Sequence, residues 1–66
     1  MSAIYDLRLA IEKKIQADGR DMTQTKGLIA LKAGKLLSLI SPNTPDDPAF
    51  IAKLRGAAKE VLGVSL

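Results

Sequence analysis

The stretch from Lys26 to Ile40, KGLIALKAGKLLSLI, most constrains the fold, because its apolar residues cannot all lie on one side of a helix. At about 100° per residue, a helix here has one broad apolar face and an adjoining strip of small side chains. The face comprises Ile29, Ala33, Leu36, Leu37 and Ile40, and the strip comprises Gly27, Ala30, Gly34 and Ser38. A helix that is apolar on more than one side needs a second layer of neighbours. We therefore expect this segment at the centre of the molecule, with a second chain against it.

The length of the chain makes a stable monomer difficult. Sixty-six residues form one domain, residues 1–66, whose hydrophobic gain barely exceeds the conformational entropy lost on folding. Small domains commonly gain stability from disulfides, metals or oligomerisation. Since the sequence contains neither cysteine nor histidine, disulfides and the common zinc sites are excluded. The 47% hydrophobic content therefore favours oligomerisation.

The absence of histidine and the spacing of the glycines argue against catalysis. Histidine, the usual acid–base catalyst near neutral pH, is absent, and the glycines are too widely spaced for a phosphate-binding loop. A chain this short also has little room for a substrate pocket. We expect no catalytic residues, no cofactor and no bound metal, and hence a protein that is not an enzyme.

The spacing of apolar residues predicts three helices, at about 3–18, 23–40 and 45–62. The first has its stripe at Ile4, Leu7, Ile11 and Ile15, and the third has its stripe at Phe50, Leu54, Ala57 and Val61, with Ile51, Ala58 and Leu62 beside it. No segment shows the alternating pattern of a strand. The predicted fold is an all-α antiparallel three-helix bundle, which we expect to be dimeric.

Capping residues set the predicted boundaries of these helices. The predicted N-caps are Ser2, Asp21 and Thr44, with Thr23 as a competing cap for the second helix, and the predicted stops are Gly19 and Gly63. Asp21 stands three residues before Gln24, as in a capping box. Asp46 and Asp47 resemble an acidic metal site, but we interpret them as charges that favour a helix N-terminus, because no third ligand lies nearby.

The sequence allows two positions for the end of the second helix. Ser41 precedes Pro42 and is therefore pushed out of the helical region, so the helix ends near Ile40. An earlier break at Gly34–Lys35 is the alternative, because glycine costs about 1 kcal/mol in a helix interior. We favour a continuous helix, since the apolar face passes through Gly34 without changing phase.

Three leucines and two lysines fall on the far side of the second helix: Leu28, Leu31, Leu39, Lys32 and Lys35. The two other helices can cover only the face around Ile29 and Ile40. We therefore predict that these five residues form a two-fold self-association surface, with the lysines reaching outward. The alternative is that Tyr5 and Leu9, or Val64 and Leu66, fold over the leucines within one chain.

The strip of small residues allows a second close contact between helices. A similar strip, Ala49, Ala52 and Gly56, occurs in the third helix. Small side chains let two helix backbones approach closely. The strip of helix two therefore packs either against helix three or against a second subunit.

The charge pattern separates the remaining classes of partner. Ten basic and seven acidic residues give a net charge of +3, and no run of five basic residues suggests a tail for nucleic acid. The longest apolar stretch, residues 27–40, contains two lysines and is shorter than the ~20 residues of a membrane span. The charged N-terminal residues do not resemble a signal peptide. We expect a cytoplasmic protein with a protein partner and no membrane contact, nucleic acid being the less favoured partner.

The segment TKGLIALKAG, Thr25 to Gly34, resembles the start of the helix-turn-helix in phage-repressor and Cro-like proteins. Its matching residues are Thr25, Ile29, Ala30, Ala33 and Gly34, and LGVSL at Leu62–Leu66 is similar to the family's last core helix. The resemblance implies a recognition helix after Gly34, anchored by Ile40, and a small DNA-binding transcriptional regulator. After Gly34 the sequence has mainly leucines where such a helix has polar side chains for base edges and phosphates. DNA binding is therefore the alternative to a self-associating regulatory module.

Overall fold

The computed structural model describes residues 2–66, which form three helices that pack against one another. These are α1 (Ala3–Ala17), α2 (Met22–Ala33) and α3 (Pro48–Leu62), and a short 3₁₀ helix at Leu37–Leu39 follows α2. No strand occurs in this part of the chain. The prediction of an all-α, three-helix fold is confirmed. No helix within residues 2–66 is long and apolar enough to cross a membrane.

One hydrophobic core joins all these elements. Its buried residues are Ile4, Leu7, Ile11 and Ile15 from α1, Ile29 and Ala33 from α2, Leu37 and Ile40 after α2, and Leu54, Ala57, Ala58 and Leu62 from α3. The predicted stripe of α1 is fully confirmed. In α3 the buried centre shifts slightly, since Phe50 and Val61 are only partly buried. The helical period thus predicts every buried residue of α1 and α3, whereas Leu37 and Ile40 reach the core only after α2 has ended.

The ends of α1 and the start of α2 form as predicted. The hydroxyl oxygen of Ser2 accepts a hydrogen bond from the Tyr5 N–H at 3.2 Å. The Asp21 carboxylate accepts one from the Gln24 N–H at 2.7 Å, which starts α2 at Met22. Gly19, with φ +70°, turns the chain after α1 in the left-handed conformation that glycine adopts without strain.

The prediction of a continuous second helix to Ile40 is wrong. The helix ends at Ala33, and Gly34 takes a left-handed φ of +84° while its N–H donates to the Ala30 carbonyl at 2.7 Å. After this turn, Leu37 and Ile40 still reach the core. Because the turn buries both residues without glycine in a helix interior, it satisfies the hydrophobic pattern at a lower conformational cost. Leu36, predicted to be buried, is instead 57% exposed.

The third helix begins three residues later than predicted. Asp47, rather than Thr44, is its N-cap, and the carboxylate accepts from the Ala49 and Phe50 N–H groups at 3.0 and 3.4 Å. Both Thr44-Pro45 and Asp47-Pro48 have the sequence of a cap followed by a first-turn proline. The Thr44 hydroxyl accepts from the Ser41 N–H at 2.8 Å and closes a turn in the preceding loop.

Asp46 also caps a helix, but not the one that follows it. Its carboxylate accepts from the Ala3 and Ile4 N–H groups of α1 at 3.2 and 3.0 Å. The negative charge therefore lies at the N-terminus of α1, where the helix dipole stabilises it. This contact joins the long loop to the first helix. Both aspartates cap a helix, but the prediction that Asp46 serves the third helix is wrong.

Candidate interaction surface

The outer side of α2 has a shallow apolar groove of about 360 Å³. Its lining includes the small residues Gly27, Ala30 and Gly34, with Leu31 and Leu36 as the large apolar side chains and Lys35 beside them. A Cβ atom added at Gly27 would meet no heavy atom within 4 Å. The groove is therefore open because its helix lacks side chains at this point, and not because two helices separate.

A second hollow of about 180 Å³ adjoins the first. It is lined by Met22, Thr23, Lys26, Gly27, Leu36, Leu37 and Ser38. Gly27 and Leu36 line both hollows, so Leu36 stands between them. The two hollows form one uneven apolar surface over α2 and the segment that follows it.

Four strongly exposed leucines belong to α2 and the segment that follows it, and two of them, Leu31 and Leu36, line the hollows. The exposed fractions are 47% for Leu28, 81% for Leu31, 57% for Leu36 and 64% for Leu39. Leu28 and Leu31 are one helical turn apart, and the Leu39 N–H donates to the Leu36 carbonyl at 3.1 Å. We call these four residues the leucine surface. Leucines exposed in such a group are typical of a contact site.

The predicted self-association residues are only partly brought together. Leu31 and Lys35 line the larger groove, whereas Leu28, Lys32 and Leu39 are exposed outside its lining. Tyr5 and Leu66 pack against the core, and Leu9 and Val64 are themselves 43% and 36% exposed. The alternative in which these four residues cover the leucines within one chain is therefore not what the structure shows.

Sequence reasoning missed Leu36, the central residue of this surface. A continuous helix puts it on the buried face, and only the break at Gly34 turns it outward. The signal was present in the sequence, since Gly34 followed by Lys35 is a typical helix end. The spacing of the apolar residues favoured a continuous helix over this signal, because Leu37 and Ile40 are buried in either conformation.

Internal packing of the two small-residue strips does not occur. Gly27 and Gly34 are exposed, and so are Ala49, Ala52 and Gly56 of α3. Ala30 is the buried member of the α2 strip. The strip is therefore available for a close approach from outside the chain.

The lysines beside the leucine surface are turned toward the other helices. Lys32 Nζ lies 3.1 Å from a carboxylate oxygen of Glu60 in α3, and Lys35 Nζ lies 5.2 Å from the centre of the Phe50 ring. The prediction that Lys32 and Lys35 simply reach outward therefore missed their partners. Long side chains find such partners on other helices, which periodicity within one helix does not reveal.

Glu12 connects α1, α2 and the segment after the 3₁₀ helix. Its carboxylate lies 3.2 Å from Arg8 Nε and 2.7 Å from Lys26 Nζ, and the Arg8 guanidinium also donates to the Ile40 carbonyl. Burial alone raises the pKa of Glu12, but hydrogen bonds and positive charge from Lys26 and Arg8 outweigh it and lower that pKa below its usual value. This network holds the end of the leucine surface against α1.

The carboxylates are used for structure rather than gathered into a site. Six of the seven take part in caps or ion pairs: Asp21, Asp46 and Asp47 cap helices, and Glu12, Asp18 and Glu60 pair with cations. Within residues 2–66, no group of three potential ligands is placed to hold a metal ion.

The recognition helix implied by the helix-turn-helix resemblance does not form. After Gly34, the only helical segment before α3 within residues 2–66 is the three-residue 3₁₀ helix. Three residues give less than one α-helical turn, which is too short to present several side chains to a major groove. No protein-family model, curated protein or solved structure matches the chain.

Proposed function

We propose that this chain is a non-enzymatic helical interaction module that self-associates through the outer face of α2 and has a regulatory role through a protein partner. The observation that carries the proposal is the exposure of the leucine surface, Leu28, Leu31, Leu36 and Leu39, of which Leu31 and Leu36 line an open groove. We place its action in the cytoplasm, because a chain without cysteine gains no stability from an oxidising compartment.

The size of the leucine surface suits a dimer of moderate affinity. The four side chains together expose about as much surface as two and a half free leucines, and burying one gives roughly 1.5–3 kcal/mol. Two identical surfaces therefore gain about 8–15 kcal/mol, against an association cost of about 4–15 kcal/mol. A micromolar dissociation constant corresponds to a net gain of about 8 kcal/mol, which this difference reaches when the association cost lies near the lower end of its range.

Sedimentation equilibrium at micromolar concentration tests this proposal. We expect the average mass to rise with concentration toward that of a dimer, and Leu28→Lys and Leu39→Lys each to shift the protein to monomer. The matched control is Leu9→Lys, because Leu9 is 43% exposed but belongs to α1. A monomer at all concentrations, or equal loss of association with Leu9→Lys, would contradict self-association through α2.

A DNA-binding regulator is the second candidate function, and one observation favours it. Lys53, Arg55 and Lys59 are exposed on α3, and none has an acidic oxygen within 4 Å among residues 2–66. Such cations attract phosphates. The absence of a recognition helix in the same residues weakens sequence-specific reading, so we rank this candidate second.

A further inference from the structure

Two lysines at one end of the groove over α2 have no negatively charged partner. Lys35 lines the groove, and Lys53 Nζ of α3 lies 3.6 Å from where a Cβ atom on Gly34, another lining residue, would be. Neither ammonium group lies within 4 Å of a carboxylate oxygen of residues 2–66. The groove therefore combines apolar walls, formed by Leu31 and Leu36, with a positively charged end.

Contacts within the chain do not neutralise these two charges. Lys35 Nζ lies 5.2 Å from the centre of the Phe50 ring, and such a contact leaves the ammonium charge in place. The C-terminus of a helix such as α2 carries about half an elementary negative charge, which is less than two lysines bring. Lys26 and Lys32, by contrast, pair with carboxylates of α1 and α3. Positive charge thus remains available to a partner at the end of the groove formed by Lys35 and Lys53.

We propose that this groove binds an amphipathic helix of a protein partner, with leucine-like side chains on one face and acidic side chains beside them. The inference rests on the proposed function, whose protein partner it identifies by chemistry. The apolar face of such a helix covers Leu31 and Leu36, which are 81% and 57% exposed. Its carboxylates meet Lys35 and Lys53, whose long side chains can turn their charged ends toward them.

A helix suits this groove better than an extended segment. Within residues 2–66 no strand offers an edge to which an extended segment could add by main-chain hydrogen bonds. The groove passes over Gly27, Ala30 and Gly34, which are successively one helical turn apart, so it follows the axis of α2. An amphipathic helix presents its apolar side chains at this same one-turn spacing.

Charge distinguishes this partner from a second copy of the chain. The segment from Met22 to Pro45 has three lysines and no acidic residue, so a second copy that docks through it brings no carboxylate to the groove. An acidic helix brings the opposite charge, and complementary charge favours the correct partner over others. Because both occupants cover Leu31 and Leu36, binding of the acidic helix competes with self-association.

Fluorescence anisotropy with a labelled synthetic peptide tests the inference. The probe is a helix of about 15 residues with leucines on one face and glutamates beside them, and the matched probe has lysine in place of each glutamate. We expect the parent chain to bind the glutamate peptide at least about tenfold more tightly than the lysine peptide at low salt. Equal affinity for the two peptides, or binding of neither, overturns the acidic partner.

Variants of the groove show where the peptide binds. We expect Leu31→Ala to raise the dissociation constant of the glutamate peptide about tenfold, and the double change Lys35→Gln with Lys53→Gln to raise it about fivefold. All three side chains are exposed, so the helix content should stay unchanged. The control is Lys13→Gln, which removes an exposed lysine of α1 without a carboxylate within 4 Å among residues 2–66. An equal loss of affinity in this control would overturn the assignment to the groove.

Sedimentation of the parent chain with and without the glutamate peptide separates this inference from self-association. We expect excess peptide to convert dimers into single chains with one peptide bound. A dimer that persists at saturating peptide, or self-association without peptide binding, overturns the inference and leaves self-association standing. A parent chain that is monomeric yet binds the peptide contradicts self-association and supports the acidic partner. Binding to phosphatidylserine vesicles without binding to the peptide would assign the groove to a membrane surface and overturn the inference.

Discussion

Asp46 and Asp47 are neighbours in the sequence, yet their carboxylates bind the N-termini of different helices. Asp47 accepts from the first turn of α3, whereas Asp46 accepts from Ala3 and Ile4 at the start of α1. Local sequence patterns predict that an aspartate before a helix acts as a cap. They do not predict which helix receives it, because a contact across more than forty residues depends on how the loop returns to α1.

Glu12 gives a prediction at the same scale, because its pKa is lowered in the folded chain by Lys26 and Arg8. A carboxyl group with a lowered folded-state pKa contributes stability above its unfolded pKa, and this contribution is lost as pH falls through the folded value. We expect Glu12→Gln to lower the free energy of unfolding at pH 7 by about 1 kcal/mol. The difference from the parent chain should shrink as the pH falls below about 4.5.

Urea unfolding at several pH values measures this difference. The control is Glu60→Gln, since Glu60 forms an ion pair with Lys32 but its side chain is 67% exposed. An exposed pair of this kind contributes little, so the unfolding midpoint should hardly change. A difference between Glu12→Gln and the parent chain that stays constant down to pH 3 would show that the charge of Glu12 does not stabilise the fold.

At the scale of elements, α1 and α3 could be predicted closely and α2 could not. Each of these two helices, α1 and α3, has one apolar stripe that predicts its buried residues, although α3 is capped by Asp47 rather than by the predicted Thr44. In α2 two signals disagree, because the apolar phase continues past Gly34 although glycine favours a stop. The stop prevails, since Leu37 and Ile40 are buried after a turn as well as they would be in a longer helix.

Alanine at the two glycines of this region should therefore have opposite effects. Gly34 has φ +84°, where a Cβ costs about 1–2 kcal/mol, and its only contact at that position is an ordinary one of 3.6 Å to Lys53 Nζ. Gly27 lies inside α2 in open space, where alanine gains about 0.5–1 kcal/mol. Thermal unfolding at concentrations that keep the chain monomeric should show Gly34→Ala destabilised and Gly27→Ala stabilised. Stabilisation by both would indicate the continuous helix instead.

At the scale of the whole molecule, the sequence located the candidate surface but not its composition. The two other helices can cover only one face of the central segment, so the sequence predicts that they leave Leu28, Leu31 and Leu39 uncovered. All three are exposed. Leu36 joins them only because the chain turns at Gly34. The partners of Lys32 and Lys35, which are Glu60 and Phe50, lie in α3, so a pattern within one helix does not predict them.

The distribution of charge over the whole molecule separates the two candidate functions. A helical interaction module should show no saturable binding to random duplex DNA at low salt. If Lys53, Arg55 and Lys59 instead contact three phosphates, the logarithm of the association constant should fall with that of salt at a slope of about −2.7. Affinity would then drop about 40-fold between 50 and 200 mM salt. Fluorescence anisotropy with a labelled duplex measures this slope.

Two variants decide whether any such binding uses α3. Lys59→Gln removes one exposed cation of α3. If the chain binds DNA through α3, this change should make the slope less negative by about 0.9. Lys13→Gln removes an exposed cation of α1 and leaves α3 unchanged, so it serves as the control. We expect no binding by the parent chain, because the segment after Gly34 offers leucines rather than polar groups to a duplex. Steep, salt-dependent binding that Lys59→Gln weakens and Lys13→Gln does not would favour the DNA-binding regulator over the interaction module.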